Sequence, residues 1–109
     1  SIVTIPWSST ASGGDVIQVK AYIMGTDIYD ATKVYSSEIM GCYSIDSSLT
    51  LTEVGTPVLD AISSYVGTQP DCEISSDGDG VYVQVTGVGT DTIQWLCSYS
   101  YHRLINVTP

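Results

Sequence analysis

The chain has no phenylalanine, one histidine and three basic residues. Against those three bases stand twelve acids, giving a net charge of −9. No basic stripe is therefore available to neutralise phosphates, and neither nucleic acid nor an anionic lipid surface is an expected partner. The single histidine, His102, would have to serve any Ser-His-Asp triad. No serine sits in a Gly-x-Ser-x-Gly elbow and nothing marks an oxyanion hole, so His102 reads as a surface or subunit-interface residue. Cysteine is also scarce. Cys42, Cys72 and Cys97 are odd in number and widely spaced, which fits neither a complete disulfide framework nor a C-x-x-C metal site. Thiols buried in a core are expected, with one bridge plus one free thiol as the alternative. No apolar run approaches the roughly 18–20 residues of a membrane-spanning helix. The opening residues Ser1 to Trp7 lack a basic leader and a long apolar stretch, and do not read as an intact signal peptide.

What is present favours folding. Hydrophobic residues make up 43% of the chain, with eight Tyr and two Trp, while charged residues are 14%, too few for an acidic disordered tail. At 109 residues the chain fits one domain. The reading is an N-terminal arm and loop over 1–14, followed by a single domain over 15–109.

Helical spacing is weak throughout, whereas period-two alternation recurs. Val16 to Met24 alternates apolar and polar residues between Asp15 and Gly25. Thr32 to Ile45 reads as a bent strand, with Gly41 a candidate bulge. Leu49 and Leu51 alternate with Thr50 and Thr52, and Cys72 to Ser75 is a short strand before the turn Asp77-Gly78-Asp79-Gly80. Between Pro57 and Pro70, the run Val58 to Val66 reads as one helical turn or a short strand, with strand or loop preferred. Val81 to Val85 and Thr92 to Leu104, separated by the glycine-containing Thr86 to Asp91, read as a β-hairpin. On the last strand Ile93, Trp95, Cys97, Tyr99 and Tyr101 share one face, which places the Gly80 to Leu104 hairpin at the centre of the core. These strands predict an all-β fold, an antiparallel β-sandwich of about seven strands in Greek-key or jelly-roll order.

No catalytic, cofactor or metal site emerges. Asp77 and Asp79 have calcium-loop spacing, but Val88 occupies the position where an EF-hand needs a bidentate acid, and a hairpin turn explains both residues. Asp27 and Asp30 likewise suit a loop. Glu38, Glu53, Asp60 and Glu73 are candidates for a carboxylate pair whose separation linear sequence does not give. Cys97 and His102, five apart on a strand, fall on opposite faces. Asn106-Val107-Thr108 is a glycosylation sequon near the end of the chain. The arm residues Ile2, Val3, Ile5 and Trp7 exceed the apolar content a monomer needs, and Tyr99 and Tyr101 alternate with Ser98 and Ser100. These six are the candidate partner-binding residues through subunit burial, while Trp7 or the group Tyr82, Tyr99 and Tyr101 is the alternative platform for sugar stacking.

Three segments carry a resemblance. Ile17-Gln18-Val19-Lys20-Ala21-Tyr22-Ile23-Met24-Gly25, Tyr29-Asp30-Ala31-Thr32-Lys33-Val34-Tyr35, and Val83-Gln84-Val85-Thr86-Gly87 through Ile93-Gln94-Trp95 resemble a small β-sandwich domain of tailed-phage virion structural proteins. Val54 to Cys72 has no counterpart. The resemblance implies a non-enzymatic structural role in a virion; the expectation built on it is a capsid decoration or cement protein bound to the major capsid protein or its neighbours, working as a homo-trimer or bound at capsid symmetry axes. The alternative is a tail-fibre or receptor- and carbohydrate-binding module.

Overall fold

The computed structural model describes residues 3–5, 14–46, 48, 50–76 and 80–104. Among these residues it is all-β, with eight strands in two antiparallel sheets. A short sheet contains β1 (Val3–Ile5), β6 (Asp71–Ser76) and β7 (Val81–Thr86) in the order β1-β7-β6. A long sheet contains β2 (Val16–Asp27), β3 (Asp30–Ile45), β4 (Leu51–Glu53), β5 (Val58–Ser63) and β8 (Ile93–Leu104). Its order is β4-β3-β2-β8, with β5 also paired to β3. The sequence β8-β2-β3-β4 is that of a Greek key, its long return connection running out through β5, β6 and β7.

β2 and β3 form the backbone of the long sheet. Alternation along β2 buries Ile17, Val19, Ala21 and Ile23, and the facing positions of β3 bury Tyr35, Ser37, Ile39, Tyr43 and Ile45. The strands reverse through Ile28-Tyr29 alone, where the buried Asp27 carboxylate accepts the Tyr29 N–H at 2.8 Å. β2 thus runs past Gly25 to Asp27, beyond the expected boundary at Met24. The second edge of β3 is covered first by β4 and then by β5, which continue in one direction around Val54 to Pro57. Gly55 turns there at φ 71°, a conformation that favours glycine.

Two expectations need correction. β7 and β8 do not pair with each other: β7 lies between β1 and β6, whereas β8 lies against β2. Thr86 to Thr92 is a crossing between sheets, and the hairpin is β6–β7, with Ser76 opposite Val81. The Asp77-Gly78-Asp79 part of its connection lies outside the described residues. The core centre also moves. Val81 and Val83 are fully buried, but Ile93, Trp95 and Cys97 pack at its margin and β2 and β3 supply most of its volume.

Gly41 is not a bulge. The β2–β3 register runs unbroken through Val19↔Gly41, and the one shift falls between Thr26 and Asp27. Gly41 instead makes room for the Tyr43 ring, since a Cβ there would come within 2.9 Å of the Tyr43 hydroxyl.

Gly25 has a related role across strands. It stands opposite Tyr35 on one side and Trp95 on the other, and those two rings meet edge-on with centroids 6.0 Å apart. A Cβ at Gly25 would lie 2.8 Å from Trp95 Cε3 and Cζ3 and 3.0 Å from Ile93 Cγ2. Gly25→Ala is expected to displace the indole and cost about 1–3 kcal/mol. Urea unfolding followed by tryptophan emission measures both effects; unchanged emission and stability would show that the indole accommodates the methyl.

Candidate functional site

The acidic side chains that looked available for chemistry have structural partners. Asp30 Oδ1 accepts the Thr32 hydroxyl at 2.6 Å and the Thr32 N–H at 3.1 Å, and these bonds hold its carboxyl below the usual range. Among Glu38, Glu53, Asp60 and Glu73, the fold brings one pair together: Glu38 and Asp60 face each other across β3 and β5, with Lys20 Nζ 3.6 Å from Glu38 Oε1. Glu53 faces Tyr43 and Glu73 faces Gln84, on separate sheets. Among the described residues no cluster of His, Cys, Asp and Glu has the geometry to hold a metal. Asp77, Asp79 and the Asn106 sequon lie outside them.

His102 is exposed on β8, opposite Gln18, on the face away from Cys97. Cys72 is buried, with its sulfur 3.3 Å from Ser37 Oγ and within reach of the Tyr35 hydroxyl. Cys42 and Cys97 are half-buried, and all three thiols are free. Burial, together with Cys72 nearby, pushes the Cys97 thiol up, opposite to what a reactive nucleophile requires.

Among the described residues one ion pair is deeply buried, and nothing in the sequence marks it. Asp15, with no exposed surface, receives the Arg103 guanidinium on Oδ2 at 3.2 Å from both Nε and Nη2. Asp15 sits at the start of β2, where its own carbonyl accepts the Ile45 N–H at 2.9 Å. Arg103 reaches it from the end of β8, where its register partner is Ile17. Eighty-eight residues separate the pair, so no local spacing announces it. The contact fastens the C-terminal end of β8 to the sheet.

Of the expected partner-binding residues, Ile2 and Trp7 lie outside the described residues. Val3 and Ile5 belong to β1, whose backbone pairs with β7 at Val83 and Val81. This part of the arm is therefore a strand of the short sheet. Tyr99 and Tyr101 lie on the core-directed face of β8, opposite Ala21 and Val19, yet remain 37% and 42% exposed. Tyr82 does not join them. It alternates with the buried Val81 and Val83 and so lies on the outer side of the short sheet.

The other face of the long sheet carries an apolar surface. Tyr22, Met24, Met40, Val58, Ile62 and Leu96 share that face by alternation and register, with exposures from 37% at Met40 to 77% at Ile62. At one end an open groove of about 400 Å³ is lined by Met24, Thr26, Val34, Gln94, Trp95 and Leu96. Charge on this face is sparse: Lys20, Glu38 and Asp60 border a smaller hollow with Met40 and Val58. The arrangement is suited to burying protein surface rather than to polarising a substrate. No family model, curated protein or solved structure matches the chain.

Proposed function

We propose that this chain is a non-enzymatic structural module of a tailed-phage particle, a decoration or cement protein that binds the major capsid protein or neighbouring subunits and stabilises the shell. The observation that carries this reading is the sparsely charged outer face of the long sheet, where Tyr22, Met24, Met40, Val58, Ile62 and Leu96 stand exposed together. Such a surface gains stability by being covered. The resemblance in β2, in the β2–β3 turn and from β7 into β8 supplies the kind of neighbour.

Quantifying the protein in purified particles tests the proposal. Hundreds of copies per particle are expected for a decoration protein; its absence from particles would overturn the virion reading. A few copies would instead favour a tail-fibre or receptor-binding module. Tyr99 and Tyr101 support that second reading, as two partly exposed rings on one face of β8. Specific binding of the purified protein on a glycan array, lost on Tyr101→Ala, is its expected signature.

A further inference from the structure

Among the described residues the strand that ends the long sheet is β8, and its backbone presents an edge that none of them pairs with. Two hydrogen bonds fix which residues face outward. Ile28 N–H donates to the Thr92 carbonyl at 3.0 Å, and Ile45 N–H donates to the Asp15 carbonyl at 2.9 Å. The first directs the even-numbered residues of β8 toward β2. The second directs the odd-numbered residues of β2 toward β3, leaving its even residues for β8, in agreement with the register Met24↔Leu96 and Tyr22↔Ser98. Trp95, Cys97, Tyr99 and Tyr101 therefore point both N–H and C=O away from β2. No described residue pairs with them.

The remaining edges are short or guarded. β1 and β4 have three residues each, β5 has six with Pro57 before it and Asp60 within it, and β6 has six including Asp71 and Glu73. β8 has twelve residues without Pro, Lys, Asp or Glu. In a chain of net charge −9 it is a stretch free of acid. Long edges are ordinarily blunted by such residues; this one is not.

We propose that β8 is completed by β8 of a second copy of this chain, antiparallel across a two-fold axis at Ser98. This inference goes beyond the virion reading and does not depend on it. A second copy is the occupant favoured by charge, because every other described edge carries or adjoins an acid or a proline, Pro6 following β1 in the sequence, while two β8 strands meet without like charges opposed. A two-fold is favoured over a ring, since a ring needs a different, complementary edge, and the guarded β5 is a poor one. Centring on Ser98 sets Ile93 opposite the partner copy's Arg103, Trp95 opposite its Tyr101 and Cys97 opposite its Tyr99, so that all six odd-numbered, outward-facing residues of β8 are paired. Centring one residue later would leave Ile93 with no residue of the partner copy's β8 opposite it, since that strand ends at Leu104.

Sedimentation equilibrium of the full chain tests this together with two variants. The parent is expected at twice its 11.6 kDa mass. Tyr99→Pro removes an outward N–H without touching the β2 ladder, and should weaken self-association at least about tenfold. Ser98→Lys, an exposed change that sets two lysines against each other at the axis, guards against misfolding of the proline variant and should act in the same direction. A third variant fixes register. With Cys42 and Cys97 replaced by Ser, Ser98→Cys should oxidise to a covalent dimer, because non-hydrogen-bonded partners lie about 4.5 Å apart at Cα, within disulfide range; Ser100→Cys should not. A monomeric parent at about 1 mM, a dimer untouched by Ser98→Lys, or equal cross-linking at 98 and 100 would overturn the proposal.

Discussion

Arg103→Leu is expected to lower stability by about 3–5 kcal/mol, the range for breaking a buried ion pair by removing one partner. The cost arises because Asp15 stays fully buried at the start of β2 after losing the guanidinium held 3.2 Å from Oδ2. Its removal also leaves the end of β8 held to β2 by the backbone ladder alone. For a domain of this size each kcal/mol moves the melting temperature by about 4–8 °C, so the variant should melt more than about 12 °C below the parent. Replacing both partners, as in Asp15→Asn with Arg103→Met, should recover much of the loss, because no buried charge is then left without its counter-ion. Urea unfolding of the parent and the two variants measures this. A loss below about 1 kcal/mol for Arg103→Leu would mean that water reaches Asp15 and that the contact is no anchor.

Unfolding between pH 10 and about 12 is the second large effect. Tyr35 and Tyr43 are buried in the core, and desolvation pushes both hydroxyls from an ordinary 10.0 up to about 12; at Tyr35 the neighbouring Cys72 adds to the rise, partly opposed by the Ser37 hydroxyl. Both groups favour the neutral form in the folded chain. Their contribution is complete below pH 10, and is lost as pH rises through the folded value, because the unfolded chain ionises first. A shift of about two units is worth roughly 2–3 kcal/mol per group, a substantial part of the stability of a small domain. Circular dichroism and tyrosinate absorbance followed together should show the Tyr35 and Tyr43 share of the ionisation rising with unfolding in one cooperative step, separate from that of the exposed rings such as Tyr22 and Tyr29. Tyr43→Phe removes one of the two groups, and its alkaline midpoint should move upward. Ionisation of all eight tyrosines with the fold retained would show that these two rings are wet.

Legibility in the sequence followed the range of each signal. Alternation along Val16 to Met24 and Thr32 to Ile45 revealed β2 and β3 and their buried faces, because a half-buried strand writes its environment into every second residue. Alternation marks faces but not partners. Thr86 to Asp91 carries glycines that suit a reversal, and it was natural to fold Val81–Val85 onto Thr92–Leu104; the chain instead crosses between sheets there. Gly25 and Gly41 looked like punctuation, yet each sits inside a strand under an aromatic ring supplied by Trp95 or Tyr43. Asp15 and Arg103 carried no mutual signal across most of the chain's length. The open edge of β8 did have a visible trace, the lack of acid, lysine and proline from Thr92 to Tyr101, but without knowing which strand ended the sheet that trace had no meaning. The candidate residues Ile2 and Trp7 lie outside the described residues. The apolar outer face became apparent once register had aligned β2, β3, β5 and β8.

The crossing from β7 to β8 also sets the order in which the molecule is completed. β2 and β3, joined through Ile28-Tyr29, are close in sequence and close early, whereas Val16 finds its partner on the other side at Leu104. During synthesis the long sheet therefore waits for nearly the whole chain to emerge, with the β2 edge bare meanwhile. Pairings so distant along the chain make folding slow and leave a nascent intermediate open to wrong partners. The β2 edge that Ser100 and its neighbours finally cover is thus where a wrong strand would add before β8 arrives.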